Sequence, residues 1–345
     1  MAPRITLEDV SKAAGVSRST ASLVVRGSSR IPESTAVKVR EAMNELGYVY
    51  NRQAANLRQS RSMTIGLIVT EIINPYFAEL AMAVDEITHD AGYTIFIGYS
   101  RDDAERQHEI ISSMIERQVD GILLLPAPDT DPQKLAKQVN AANVPLVLLA
   151  RRFSGFDYVG SENVRGATML GEHLAALGCR SVAFLGGLTA SSLMEREEGL
   201  RTSLEPHGCE VWSTDEFRSH ITPEGGAAAV GRLFDQGKLP DAIIAYNDAV
   251  AQGIYDAMRR LGLEPGRDIA VASFDDTRIA ASQVPPLTSV AGFPQTIGAK
   301  GTELLMNRLA DGNSDIPTQL ALIQPQLKIR SSTATWRPRL NQTAR

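Results

Sequence analysis

The sequence predicts a small all-α head, a short linker, and a large α/β unit of two lobes built on parallel sheets. Three observations carry that expectation. Residues 1–48 hold three short helical patterns punctuated by N-cap residues and glycines. From residue 63 onward, short continuous apolar runs alternate with amphipathic stretches, the pattern of parallel strands covered by helices on both faces. Charge divides at the same place. Residues 1–62 contain ten Lys or Arg against five Asp or Glu, whereas the remainder contains 25 against 35, so that the head is basic within a chain of net charge −5. Basic charge thus collects where a phosphate backbone would be met.

In the head, Thr6 is an N-cap with Asp9 three residues on, close to the capping-box pattern. Leu7, Val10 and Ala14 follow at helical spacing, and Gly15 ends that helix. Ser17 is a second N-cap. It opens a helix over residues 18–25 with Ala21, Val24 and Val25 inward and Arg18, Ser19, Ser22 and Arg26 outward. Two short helices joined by a tight turn containing glycine form a helix–turn–helix. The first residues of its second helix are those that meet base edges in a major groove. Arg18 suits guanine, and Ser19 and Ser22 suit bases or phosphate. A third helix is expected over residues 33–46, with Ala36, Val39, Met43 and Leu46 inward and Gly47 at C′. Residues 51–58 (Asn-Arg-Gln-Ala-Ala-Asn-Leu-Arg) form a stub too short to be a stable helix in water unaided. The competing reading of the head is a small helical cap with a solvated face.

In the long remainder, strands are expected at residues 64–69, 93–98, 121–125, 145–150, 181–187, 241–246 and 269–274. Helices are expected at 77–91, 105–118, 166–177 and 249–261. The strands fall into two groups with a break near residues 159–163, which gives two doubly wound lobes with a cleft between them. Ligands in such sheets sit off the carboxyl ends of the strands. Those ends carry Asn74-Pro75-Tyr76-Phe77, Ser100-Arg101-Asp102, Glu162-Asn163, Arg196, Asn247-Asp248 and Phe274-Asp275-Asp276. Carboxylates and amides beside aromatic faces suit a small polyhydroxylated or planar polar ligand. Asp248 reads as an N-cap, and Asp102-Asp103 as a helix start. Neighbouring Asp275 and Asp276 point to opposite sides at a strand end and do not form a catalytic pair.

Composition excludes several classes. At 43% apolar and 22% charged residues the chain is that of an ordinary soluble protein, without an 18-residue apolar run. The five histidines have no metal-ligand spacing, and no nucleophile elbow, phosphate loop or dinucleotide fingerprint is present, so neither an enzyme nor a cofactor is expected. Two cysteines without CxxC spacing and an N-terminus without an apolar signal core lead us to expect a cytoplasmic, thiol-reduced setting with no membrane partner. The tail from residue 331 lacks a leucine heptad, so a dimer rather than a coiled-coil tetramer is expected.

Ile5-Thr6-Leu7-Glu8-Asp9-Val10-Ser11-Lys12-Ala13-Ala14-Gly15-Val16-Ser17, then Thr20-Ala21-Ser22, Leu46-Gly47-Tyr48 and Asn51-Arg52-Gln53-Ala54-Ala55-Asn56-Leu57 resemble the lactose/galactose repressor (LacI/GalR) family, and the order of segments downstream resembles it along nearly the whole chain. The resemblance implies a helix–turn–helix domain over residues 1–48, a hinge helix within 49–62, and a periplasmic-binding-protein-like effector and dimerisation domain over 63–345. Within the latter, lobe 1 takes about 63–161 and 293–324, and lobe 2 about 162–292 and 325–340. It puts Arg18, Ser19 and Leu23 at base-reading positions and Thr20, Ser22, Arg30 and Asn51 at phosphate-holding or orienting ones; Thr6, Ser17, Arg26, Ala54 and Arg58 complete the expected DNA-binding set. Leu23 departs from members with a polar residue there; it can touch a thymine methyl but cannot pair with guanine. Leu57 takes the place of a minor-groove wedge, whose unstacking cost is repaid by a bend that widens contact. Tyr76, Phe77, Arg101, Glu162, Ser192, Arg196, Asn247 and Asp275 take the effector positions, with Glu162 standing where many members have Asp.

The leading reading is therefore a DNA-binding transcriptional regulator, a repressor, acting as a homodimer on a pseudo-palindromic operator under control of a sugar or sugar derivative. The effector would act through the angle between lobes, by binding one state about 1–3 kcal/mol better than the other. A purine or phosphorylated metabolite is the alternative ligand. A solute-binding protein of a sugar transporter, or a sugar kinase or dehydrogenase, are the alternative functions.

Overall fold

The computed structural model describes residues 5–25, 27–28, 30–49, 61–212, 215–237, 239–310 and 317–338. The chain divides into two compact units, residues 1–62 and 63–345.

In the first unit, α1 (Leu7–Ala13), α2 (Arg18–Val25) and α3 (Glu33–Leu46) pack on Val10, Ala21, Val39 and Ala42. The ends form where the local chemistry dictates. Thr6 and Asp9 close a reciprocal capping box on α1, and Gly47 terminates α3 at φ 63°. Val25 is only half-buried and lies outside that core.

The second unit holds two six-stranded sheets. The first runs β1 (Thr64–Val69), β2 (Thr94–Tyr99), β3 (Gly121–Leu124), β4 (Leu146–Leu149), β5 (Asp157–Ser161) and β11 (Leu320–Ile323) in spatial order β11-β5-β4-β3-β1-β2, all parallel. The second runs β6 (Ser181–Leu185), β7 (Glu210–Trp212), β8 (Ala242–Ala245), β9 (Ala270–Asp275), β10 (Thr288–Ala291) and β12 (Gln326–Lys328) in order β12-β10-β9-β8-β6-β7. Among the described residues of this sheet β12 pairs antiparallel with β10, and the other strands pair in parallel.

Helices cover both faces. Those of the first lobe are α4 (Pro75–Asp90), α5 (Ala104–Glu116), α6 (Pro132–Ala141) and α12 (Pro294–Ala310). Those of the second are α7 (Asn163–Ala176), α8 (Ser191–Leu204), α9 (Pro223–Asp235), α10 (Asp248–Arg260), α11 (Arg278–Ser282) and α13 (Ser331–Ala334). Asn74, Asp103, Asp131, Thr222 and Asn247 cap α4, α5, α6, α9 and α10 through their side chains, with proline at the first helical positions of α4, α6 and α9. The chain passes between lobes after β5, after β10 and between β11 and β12.

Five strands differ from the sequence expectation by being absent from it: β5, β7, β10, β11 and β12. Their sequences are short or carry polar residues whose partners lie far away in the chain. Asp157 opens β5 and is buried on Arg308 at 2.7 Å, so a charge interrupts the apolar run without exposing the strand. Asp248 is not the N-cap. Asn247 caps α10, accepting from Val250 N at 3.0 Å, and Asp248 is the buried first helical residue. Asp103 caps α5, whereas Asp102 turns to an ion pair with Arg151. Among the described residues no helix is long and apolar enough to cross a membrane.

Candidate functional site

Both lobes reverse strand order once, between β1 and β3 in the first and between β6 and β8 in the second. The carboxyl ends beside these switch points are where an open α/β sheet binds ligands. A cleft of about 530 Å³ lies there. The first lobe lines it with Glu71, Asn74, Tyr76, Phe77, Arg101, Asp102 and Arg151, and the second with Ser192, Arg196, Tyr246, Asn247 and Asp275.

The floor of the cleft is a charged network. Arg196 donates from Nε to Asn163 Oδ1 at 3.1 Å and from Nη1 to the Tyr246 carbonyl at 2.6 Å, and its other Nη lies 3.9 Å from Asp275. The same guanidinium covers the rings of Tyr246 and Phe274 at 4.8 and 4.3 Å. Ser192 Oγ meets the Tyr246 hydroxyl at 2.8 Å. Arg151 is buried, paired with Asp102, and donates to the Pro126 carbonyl at 3.0 Å. Burial pushes the Asp275 carboxyl up to about 6, against the pull of Arg196 and of the amides of Asn247 and Asn74. Burial and the nearby Asp102 likewise raise Glu71.

Two turns position these groups. Arg101 and Asp102, after β2, have φ of 59° and 58°, and Asp275 and Asp276, at the end of β9, have φ of 101° and 53°. Consecutive left-handed residues that are not glycine are strained. Each pair is anchored. Arg151 holds Asp102, and Asp276 is paired with Arg330 at 2.7 Å. Below Asp275, Asp248 accepts from Ser273 Oγ, from Ser289 Oγ at 2.9 Å, and from Thr277 N and Oγ1 at 2.6 and 2.9 Å. It thereby ties α10 to β9, β10 and the turn that presents Asp275.

Of the expected effector residues, Tyr76, Phe77, Arg101, Ser192, Arg196, Asn247 and Asp275 line this cleft. Glu162 does not. Its backbone N–H bonds the Ile323 carbonyl at 3.0 Å, and its carboxylate accepts from Gln324 Nε2 at 2.7 Å, directing it toward the β11–β12 connection. Two lining residues lie outside the sequence expectation: Arg151, which directly follows an expected strand, and Tyr246, which is the last residue of one. Ile72 and Ile73, in the β1–α4 loop, also line the cleft and carry no polar signal by which a sequence could mark them.

In the head, Ser17 Oγ accepts from Thr20 N at 3.1 Å and lies 2.7 and 2.8 Å from the hydroxyls of Ser19 and Thr20, so the three hydroxyls form one exposed cluster at the start of α2. Arg18 and Arg30 are exposed, and Ser22 and Leu23 are half-buried on the same helix, away from its core side chain Ala21. Thr6 is committed to the cap of α1, and its hydroxyl holds the Asp9 carboxyl below the usual carboxylate range. Arg26, Asn51, Ala54, Leu57 and Arg58, with the expected hinge helix, lie outside the described residues. Among the described residues no cluster of His, Cys, Asp or Glu could hold a metal ion.

Residues 6–51 match the family described as bacterial regulatory proteins, lacI family, and residues 172–333 match a periplasmic binding protein-like domain. The chain is 30% identical to the HTH-type transcriptional repressor PurR of Glaesserella parasuis serovar 5 (strain SH0165), covering 95% of this chain and 98% of that one. It is 28% identical to the ribose operon repressor of Escherichia coli (strain K12), over 94% and 96% of the two chains. Among solved structures, the lac repressor dimer bound to operator and the anti-inducer ONPF superposes with a TM-score of 0.84 at 25% identity, over 96% and 99%.

Proposed function

Because this chain belongs to the lacI family of bacterial regulatory proteins, we propose that it is a cytoplasmic, non-enzymatic repressor. On this reading it binds a pseudo-palindromic operator as a homodimer and is controlled by a sugar or sugar derivative held in the cleft. One observation carries the reading. A basic helix–turn–helix and a two-lobed unit whose facing strand ends gather Arg196, Asp275, Asn247 and Ser192 occur in one polypeptide. The first is suited to phosphate and base edges, the second to hydroxyl groups, and a transporter's solute receptor has no use for the first.

The roles follow from the side chains. Arg18 reads a guanine; Ser19 and Leu23 contact neighbouring base edges; Thr20, Ser22 and Arg30 hold phosphate or orient the head. We assign the head to residues 1–48, the hinge to 49–62 and the effector unit to 63–345. A ligand clamped by Arg196 and Asp275 of the second lobe and by Tyr76 and Arg101 of the first favours one angle between lobes. Through the hinge that choice sets whether Leu57 can enter the minor groove.

Gel retardation with DNA from immediately upstream of its own coding sequence tests the function. Retardation at low salt that resists non-specific competitor supports it; none, with folded protein, removes it. Sedimentation at micromolar concentration is expected to give a dimer.

A further inference from the structure

We propose that Arg152 and Glu195 form a charge latch that draws the two lobes together without a ligand, with Glu195 as the positioning residue that ties the latch to the floor of the cleft. Arg152 follows β4 in the first lobe, and Glu195 stands on α8 in the second. Arg152 donates from Nε to Glu195 Oε1 at 2.8 Å, and its Nη2 lies 2.7 Å from the same oxygen. The backbone crosses at the same point: the Arg152 N–H donates to Ser191 Oγ, in the first turn of α8, at 3.0 Å. The other Glu195 oxygen accepts from Asn163 Nδ2 at 2.9 Å, and Asn163 Oδ1 accepts from Arg196 Nε at 3.1 Å. Asn163 opens α7, where the chain enters the second lobe. Its amide is held in one sense, oxygen to the guanidinium and NH₂ to the carboxylate. A continuous line of polar contacts thus runs from Arg152 through Glu195, Asn163 and Arg196 to Asp275.

Isolated surface pairs contribute little, because ordering two long side chains offsets the gain. Here other contacts supply most of that ordering. The Arg152 guanidinium lies over the Tyr158 ring at 5.8 Å, and its backbone is pinned by Ser191. Glu195 is 14% exposed and has both oxygens engaged. Position decides what the pair does. Arg151, Arg196, Tyr246 and Asp275 line the cleft, so a ligand that enters can take over their hydrogen bonds. Arg152 and Glu195 lie outside that lining, so their bond holds with the cleft empty or filled. The chain itself thereby biases the resting angle between lobes toward closure. Arg152 is 39% exposed, so salt reaches the pair and weakens it. Where the lobe angle governs the hinge, the latch also sets operator affinity before any effector arrives; that consequence rests on the regulator reading above, whereas the latch itself does not.

Amide hydrogen exchange on the ligand-free full chain tests the latch. The Arg152 N–H is bonded across the lobes and loses protection when they part. The Ala150 N–H is bonded to the Val159 carbonyl at 2.9 Å within the first lobe and reports that lobe's own stability. Glu195→Gln is expected to lower the protection factor at residue 152 about three- to fivefold with that at Ala150 unchanged, the scale of an ion pair with one half-exposed member. Arg152→Met keeps the apolar stem, removes the charge and is expected to give the same factor. The double variant loses no more than either single one. Sodium chloride at about 1 M acts on the parent as the substitutions do and leaves the variants unchanged. Protection at residue 152 indifferent to both substitutions, losses that multiply in the double variant, or Ala150 deprotected in step would overturn the latch. Gel retardation of the upstream DNA by the same ligand-free variants tests its consequence. A shifted affinity supports a regulatory role; an unshifted one beside lowered protection overturns that role and leaves the latch. A parent that retards no DNA removes the regulator reading, and the exchange result still decides the latch.

Discussion

Asp248→Ala asks whether the buried carboxylate beneath Asp275 stabilises the α/β unit. Asp248 is 1% exposed and receives four hydrogen bonds. Ser273 Oγ and Ser289 Oγ already lie 3.0 Å apart and can turn to one another. The donors that lose their acceptor outright are the Thr277 N–H and hydroxyl. A bond to a charged acceptor contributes about 1.5–3 kcal/mol, so two at the lower figure give about 3 kcal/mol. The opposing effect is desolvation. Burial and the neighbouring Asp275 push the Asp248 carboxyl up to about 7, despite its hydrogen bonds to Ser273 and Thr277. If the hydrogen bonds win, calorimetric melting of the full chain at pH 7 shows the transition of the larger unit lowered by about 5 °C. Asp248→Asn recovers most of the loss, because the amide oxygen can face Thr277 while its NH₂ donates to the serines. An alanine variant as stable as the parent refutes the reasoning: the buried charge would then cost as much as its bonds return.

Thr6→Ala breaks the capping box of α1 and is expected to destabilise the head by about 1 kcal/mol, read by urea unfolding followed by circular dichroism. Arg18→Ala is expected to lose about 1–3 kcal/mol of discrimination at a single guanine position of the operator, measured by competition gel shift against single-base variants. Asp275 is pushed up to about 6 and so carries its charge above that pH. A ligand hydroxyl donating to it needs the charged form, so effector affinity rises from pH 5 to pH 7.5 in calorimetric titrations, and Asp275→Asn removes the slope. The same raised pKa has the opposite sign for folding: the folded state holds the proton more tightly than the unfolded chain, so this group's contribution to stability falls as pH rises toward and through 6.

The head was legible almost to the residue, because its ends are set by local chemistry. Thr6, Asp9, Gly15 and Gly47 act within a turn of where they stand, and α3 spans the residues its spacing predicts. The central strands were legible for a similar reason: β1, β3, β4 and β8 are buried along their whole length or nearly so, and a continuous apolar run records that. What escaped depends on distant partners. Helix α8 shows little amphipathic contrast because Ser192, Arg196 and Ser203 are buried in it, and because Gly199 lets it approach α7 so closely that a Cβ would lie 2.3 Å from the Val164 carbonyl oxygen. Most cleft residues could be found from the strand-end rule together with the family resemblance. Glu162 could not be excluded that way, since its partner Gln324 is 162 residues away.

The two strained turns of the cleft share one logic. In each lobe a strand, β2 or β9, runs into two consecutive residues of positive φ, and each turn places polar groups in the cleft: Arg101 and Asp102 in one, Asp275 in the other. Such backbone costs of order 1–3 kcal/mol per residue, and it persists only if neighbouring structure over-determines it. Arg151 serves one turn and Asp248 the other, and both anchors are nearly inaccessible to water. Buried polar anchors are inefficient as sources of stability, since desolvation consumes much of what their bonds return. Their value here lies in direction. A hydrophobic replacement could fill the space under Asp275, but it would offer Thr277 N–H no acceptor, and the turn that presents the carboxylate to Arg196 across 3.9 Å would lose its anchor on α10. The floor of the cleft is therefore organised in advance, and a ligand bound there would not have to supply its ordering.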